Sequence, residues 1–319
     1  MSTEVNNRKV AVIGCGFVGS SSAFALMQSG LFSEIVLVDV NQEKAEGEAM
    51  DISHGVPFVD GQVDIYAGNY DDIVDAGIIV VTAGAAQKPG ESRLDLINKN
   101  VAIFKSIIPE IAKRNYQGIL LIVANPVDIL TRVAMEISGM PENKVFGSGT
   151  VLDSARLKNE LGKHLNVDSH SVHSFIIGEH GDSEIAVFSS ANVSGVPLTR
   201  FCELRGHFDH QTAMREIADD VRNSAYEIIE KKHATYYGIA MSVVRICRCI
   251  VTDSHSVLPV STVVHGRYGI DNTVMSIPSV VGINGVETLV PITLSEGEEK
   301  LLQESAATLN KVWDGLDLD

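Results

Sequence analysis

Six residues near the N-terminus, Gly14-Cys15-Gly16-Phe17-Val18-Gly19, constrain this chain more than any other segment. They follow a short apolar run, Val10 to Ile13, and precede a helical stretch, Ser20 to Gln28. Strand, glycine turn and helix in that order open a βαβ unit whose turn faces a nucleotide pyrophosphate. Gly14 permits the tight turn, Gly16 lets the backbone approach the phosphates, and Gly19 lets strand and helix pack closely. The phosphates then meet free N–H groups and the positive end of the helix dipole. Asp39 ends the next strand-like run, Ile35 to Val38. It lies about 20 residues past the glycines, where a carboxylate meets the ribose hydroxyls. Its charge repels a 2′-phosphate, which selects NAD over NADP.

The pattern continues as an α/β alternation. Ile78 to Val81 and Ile119 to Ala124 are further apolar runs, greasy on both faces as covered parallel strands must be. Leu94, Ile97, Val101, Phe104, Ile108 and Ile111 alternate steps of three and four, which predicts one long amphipathic helix. Pro109 within it predicts a kink near Lys105. Right-handed βαβ units of this kind build a doubly wound parallel sheet. After about residue 150 the pattern changes. A helix over Val151 to Leu165 precedes strand-like pieces at Val172 to Ile177, Glu184 to Phe188, Val257 to His265 and Thr273 to Val281. Helices are expected near 207–232 and 235–250, with a closing helix carrying Leu301, Leu302, Leu309 and Val312. The expectation is a nucleotide-binding domain over 1–150 and an α+β domain with antiparallel strands over 151–319. No Pro/Gly-rich linker separates them, so they share a cleft.

Composition excludes several function classes. Lys and Arg number 25 against 41 Asp and Glu, a formal charge of −16, and no basic run offsets it. That balance disfavours nucleic acid and anionic membrane surfaces. No apolar stretch reaches the roughly 18 residues a bilayer span needs. Cys15, Cys202, Cys247 and Cys249 have no disulfide or zinc spacing, so free thiols in a reducing cytoplasm are expected. His170 and His173 stand without a ligand cluster, so no metal is expected.

Four further segments carry chemistry. Thr82 to Arg93 (TAGAAQKPGESR) and Val123 to Asp128 (VANPVD) follow strands, where open α/β sheets bind ligands. Gly147 to Arg156 (GSGTVLDSAR) places Asp153 and Arg156 three apart on one helix face. Gly178 to Ser183 (GEHGDS) puts His180 in a loop. Singly, each has a plainer explanation: a helix salt bridge, a surface histidine, a turn. Their conjunction behind a dinucleotide fingerprint argues for a catalytic site.

With GCGFVG, AGAAQKPGESR, VANPVD, SGTVLDSAR, IIGEHGDS and KKHATYYGIA in this order, the chain resembles the bacterial-type L-lactate dehydrogenases of the lactate/malate dehydrogenase family. The resemblance runs from Arg8 to near the C-terminus. It implies a Rossmann domain followed by a catalytic domain, and reversible reduction of pyruvate to L-lactate by NADH. It implies His180 as proton donor and acceptor, oriented by Asp153. Arg156 would grip the substrate carboxylate in a bidentate fork, and Arg93 would polarise the carbonyl from a closing loop. Asn125, Asp128 and Thr235 are expected at the substrate. Val18, Lys44, Tyr70, Ala83, Gly84, Ser106, Val123, Asn125 and Ile239 are expected at the cofactor.

Gln87 separates the members of the family. A malate dehydrogenase would carry Arg there for a second carboxylate, and a neutral Gln leaves that charge uncompensated. A longer-chain 2-hydroxy-acid dehydrogenase remains open, because a missing charge alone does not fix pocket size. A non-catalytic NAD-binding protein would show losses at His180, Asp153, Arg156 or Arg93, and all four are present. The resemblance also implies a homotetramer. Activation by fructose 1,6-bisphosphate would use Lys158 and His173, with Lys where the family pattern has Arg.

Overall fold

The computed structural model describes residues 4–85 and 93–316, apart from the Arg93 side chain. Gln87 lies outside the described residues, and of Arg93 only the backbone is described.

The first half alternates as its pattern predicts. In chain order it comprises β1 (Asn6–Ile13), α1 (Phe17–Ser29), β2 (Glu34–Val38), α2 (Gln42–Ser53), β3 (Asp64–Ala67), β4 (Ala76–Val81), α3 (Arg93–Ala112), β5 (Ile119–Ile122), α4 (Val127–Ser138) and β6 (Val145–Gly147). The second half comprises α5 (Val151–Leu165), β7 (Val172–Ile177), β8 (Ile185–Val193), β9 (Val196–Pro197), α6 (Leu198–Leu204), α7 (His210–Lys232), α8 (Tyr237–Val251), β10 (Ser256–Arg267), β11 (Ile270–Gly282), β12 (Gly285–Leu289) and α9 (Glu296–Asp314).

The first six strands run parallel in the order β3-β2-β1-β4-β5-β6, a doubly wound arrangement. Strand order reverses between β1 and β4, so the crevice past their carboxyl ends is the expected ligand site. The helix α3 fills one face. Ile97, Val101, Phe104, Ile108 and Ile111 are buried against β4 and β5 neighbours such as Ile79 and Leu120. Each such side chain contributes roughly 1.5–3 kcal/mol of burial. The helix α3 continues through Pro109 to Ala112.

The antiparallel strands divide between two sheets. β10, β11 and β12 extend the first sheet beyond β6, through an antiparallel pairing of Ser261 with Gly147. A side chain at Gly147 would come within 2.9 Å of the Ser261 Cβ, so glycine lets the strands meet. β7, β8 and β9 form a small sheet of their own. One hydrophobic cluster accordingly runs from Ile79 and Leu120 to Ile177, Val187, Ile277 and Leu302. All four cysteines are buried free thiols. Among the described residues no helix is long and apolar enough to cross a membrane.

Candidate active site

The glycine turn behaves as its sequence predicts. Gly14 adopts φ +99°, and a Cβ there would come within 2.6 Å of the Ala83 nitrogen. A Cβ on Gly19 would fall 1.8 Å from the Gly14 carbonyl oxygen. Gly16 differs, because a Cβ there would meet nothing within 4 Å. The space before it is open, and α1 begins there without a side-chain cap. Its first N–H groups are therefore available to an anion. The Asp39 carboxylate accepts from the Cys15 N–H at 2.6 Å and the Asn41 N–H at 2.9 Å, which fixes it at the mouth of β2.

A crevice of about 530 Å³ opens beside this turn. Gly14, Gly16, Asp39, Lys44, Tyr70, Ala83, Gly84 and Ser106 all line it, as expected for the cofactor. Val18 and Ile239 instead pack, half-buried, against the hydrophobic core, and Gly19 and Val123 are buried. The open cradle at Gly16, the uncapped helix start and the placed carboxylate fit the pyrophosphate and ribose of NAD.

The helix α3 passes from this crevice to a second cavity of about 470 Å³. Ile103, Ser106 and Ile107 face the first, and Leu96 and Ile97 the second. Asn125, Asp153, Arg156 and His180 converge on the second cavity. Asp153 is 3% exposed in its side chain and holds two partners. Its Oδ2 meets His180 Nδ1 at 2.6 Å, and its Oδ1 accepts from the Arg156 guanidinium at 2.7 Å. That geometry assigns Nδ1 of His180 to Asp153 and leaves Nε2 for the cavity. Burial by itself would lower the His180 pKa, but the Asp153 charge and hydrogen bond outweigh it and raise it to about 9. Burial likewise opposes ionisation of Asp153, and the facing His180 and Arg156 overcome it, holding the carboxyl below its ordinary range. The site is thus a preformed imidazolium–carboxylate pair beside a guanidinium.

Asp128 sits behind the cavity wall. It is 2% exposed and does not line the cavity. Its Oδ2 accepts from the His180 N–H at 2.8 Å, and its Oδ1 accepts from Ser261 Oγ at 2.5 Å. It anchors the catalytic loop from beneath, because α4 turns that first-turn carboxylate inward to the loop. Burial pushes its pKa to about 6. Thr235 lies in the turn between α7 and α8, half-buried, outside the cavity lining.

Two bracing residues carried no sequence signal beyond their polarity. Asn100 is buried on α3, donates to the Asn125 carbonyl at 2.7 Å and accepts from the Ala85 N–H at 2.7 Å. It ties the two strand-end loops together across the Asn125–Pro126 cis peptide bond. Ser305 on α9 accepts from the Glu179 N–H at 2.9 Å and lies 3.0 Å from Ser183 Oγ, which fixes the other side of the His180 loop.

Comparison with known proteins agrees with this geometry. Residues 8–147 match the family model described as lactate/malate dehydrogenase, NAD binding domain. Residues 150–316 match the lactate/malate dehydrogenase alpha/beta C-terminal domain. L-lactate dehydrogenase 1 of Clostridium acetobutylicum is 51% identical over 310 residues, covering 97% of this chain and 99% of that one. The L-lactate dehydrogenase of Acetivibrio thermocellus is 49% identical over 98% of each chain. Among solved structures, the ligands-bound minor L-lactate dehydrogenase of Enterococcus mundtii superposes with a TM-score of 0.94 at 41% identity. That alignment covers 98% of this chain and 99% of the other.

Proposed function

The chain belongs to the lactate/malate dehydrogenase family and is an NAD-dependent oxidoreductase of the L-lactate dehydrogenase type, and from that premise we propose how its residues reduce pyruvate. When bound, NADH supplies the hydride. His180 holds a proton on Nε2 and delivers it to the substrate oxygen as that oxygen gains charge. Asp153 keeps the imidazole in one orientation and stabilises its protonated form. Arg156, held by the same carboxylate, presents its remaining guanidinium N–H groups to the substrate carboxylate. In the reverse direction His180 accepts the hydroxyl proton. The single observation that carries this reading is the Asp153-bridged pair of His180 and Arg156 at 2.6 and 2.7 Å, in a cavity that shares α3 with the nucleotide crevice.

The remaining assignments complete the proposal. Asn125, at the cavity edge, hydrogen-bonds substrate. Arg93, whose backbone starts α3, polarises the substrate carbonyl. Gln87 keeps the site selective for a monocarboxylate. Thr235 reaches the substrate, and Val18, Val123 and Ile239 complete the cofactor surround on closure. Residues 1–150 carry the nucleotide and 151–319 the catalytic residues. The chain acts in the cytoplasm as a homotetramer, closing glycolysis by pyruvate fermentation to lactate. Fructose 1,6-bisphosphate binds between copies at Lys158 and His173 as an allosteric activator. Support comes from the surface itself. Lys158 on α5 lies over the Phe175 ring, 5.7 Å from its centroid, and exposed His173 is two residues away on β7. Burial, then the nearby charge of Arg245, lowers the Lys158 pKa, so a further cation stands close.

His180→Gln tests the central assignment. The variant is expected to bind NADH with wild-type affinity by nucleotide fluorescence while turnover with pyruvate falls by at least about 1,000-fold. Turnover within tenfold of wild type would remove His180 from the proton transfer. Titrating fructose 1,6-bisphosphate at subsaturating pyruvate tests the activator, and an unchanged rate curve refutes it.

A further inference from the structure

One buried acid in the catalytic cavity has no role in the steps above. Glu184 precedes β8 and is 7% exposed. The turn that carries His180 closes on it, since its N–H donates to the Gly181 carbonyl at 3.1 Å. Its carboxyl lines the same cavity as Arg156 and His180. Among the described residues its side chain makes no hydrogen bond. Atoms of Asp153, His180 and Glu184 all lie within 4.8 Å of one another. Both oxygens of Asp153 are already engaged, by His180 and by Arg156, so Glu184 acts on the pair through its charge alone.

An unpartnered buried carboxyl is a costly group to retain. Its surroundings say what state it holds. From α5 it faces Asp153 and Arg156, from its own turn His180 and Asp182, and from α7 Arg222 and Tyr226, with Asp128 beneath His180 on α4. Tyr226 Oη donates to Asp182 Oδ1 at 2.6 Å. Burial, reinforced by the charge of Asp153, pushes Glu184 to about 8, against the weaker pull of His180, Arg222 and Arg156. Glu184 is therefore uncharged at neutral pH and gains its charge as the medium turns alkaline. That charge appears beside the imidazolium just where the imidazolium would begin to lose its proton.

We propose that Glu184 is a positioning residue for proton transfer, whose ionisation beside the His180–Asp153 pair holds the proton on His180 and sets the alkaline edge of pyruvate reduction. The proposal rests on the pyruvate-reducing reading above. A full charge within about 5 Å, screened by a partly wet cavity, moves the His180 titration by on the order of one pH unit.

Two neutral variants, Glu184→Gln and Glu184→Met, test this, with Glu184→Asp as the charge-retaining control. The His180 imidazole is followed by NMR in histidine-labelled protein, its resonance identified by its loss in His180→Gln. The pH profile of kcat/KM for pyruvate is measured in parallel. Both neutral variants are expected to lower the His180 midpoint and the alkaline edge together by about one pH unit. Their deficit relative to wild type then grows about tenfold between pH 6.5 and 9, which a purely structural lesion would not do. Glu184→Asp is expected to recover most of the shift. An unmoved His180 midpoint in either folded neutral variant overturns the proposal. A lowered midpoint with an unmoved kinetic edge also overturns it. A wild-type protein that oxidises no NADH with pyruvate refutes the functional reading instead, and the imidazole titration still decides the effect of Glu184.

Discussion

Replacing Asp153 with Asn removes one charge and leaves the shape of the site nearly intact. The carboxylate holds two partners, so two effects follow. The first falls on His180. The pair lifts its pKa from an ordinary 6.5 to about 9. At 1.36 kcal/mol per pH unit, that lift corresponds to about 3 kcal/mol of preference for the protonated ring. The histidine side chain is only 25% exposed, so solvent screens little of this. Without the Asp153 charge, burial depresses the imidazole pKa against only the lesser pull of Asp128 and Glu184, so its pKa falls well below about 9. The second effect falls on Arg156, whose 2.7 Å contact with Asp153 becomes an ordinary amide contact. Asp153→Asn is therefore expected to lose about 100-fold or more in kcat/KM for pyruvate at pH 7.5. The loss shrinks toward pH 5.5, where the ring is again protonated. Steady-state NADH oxidation across pH 5.5–9, with the melting temperature recorded beside it, measures this. A folded variant within threefold of wild type at pH 7.5 would refute the charge-based account of His180.

Four further outcomes follow from the structure. Arg156→Lys keeps the charge and loses the fork, so the KM for pyruvate is expected to rise at least about tenfold, read by steady-state kinetics. Gly16→Ala is expected to leave the melting temperature within about 1 °C, because the added methyl meets no protein atom within 4 Å, while the NADH dissociation constant rises at least about tenfold. Gly19→Ala, whose methyl would sit 1.8 Å from a backbone oxygen, is expected to lose stability as well. Stability also depends on pH through His180. A base that binds its proton more tightly when folded contributes stability that is complete below pH 6.5 and lost as pH rises through about 9. Glu184 acts in the same direction, since it keeps its proton up to about 8 in the folded state only. The melting temperature is expected to fall by several degrees between pH 6.5 and 9 and to fall less in His180→Gln, as calorimetry would show.

Much of the site was legible in the sequence because its signals are local. The glycine turn and Asp39 are read from one βαβ unit, and Asp153 and Arg156 share a helix face by spacing alone. The helix Val151–Leu165 and the strand Val172–Ile177 fall where their patterns place them. What escaped depends on contacts between distant segments. Asp128 and Ser261 meet across 133 residues, so the bracing contact of that carboxylate has no local signal. Asn100 and Ser305 are ordinary polar residues until the fold places them beside Asn125 and Glu179. Glu184 sits at the mouth of a strand, and only the packing of α5 and α7 around it makes it a buried acid. The short strands β3, β6 and β9 carry too few residues for a periodic signal. The joining of β10 to β6 through Gly147 is a register between chain halves that no local pattern encodes.

The central claim is that this site reduces a neutral-tailed 2-keto acid with NADH. Purified protein offered pyruvate and oxaloacetate in parallel, with NADH consumption followed at 340 nm, tests it most directly (about 10-fold steps in substrate concentration suffice). The kcat/KM for pyruvate is expected to exceed that for oxaloacetate by at least about 100-fold, the cost of a second carboxylate that meets no cation. Equal or greater turnover of oxaloacetate would contradict it, because a cation other than one at position 87 would then have to reach the second carboxylate.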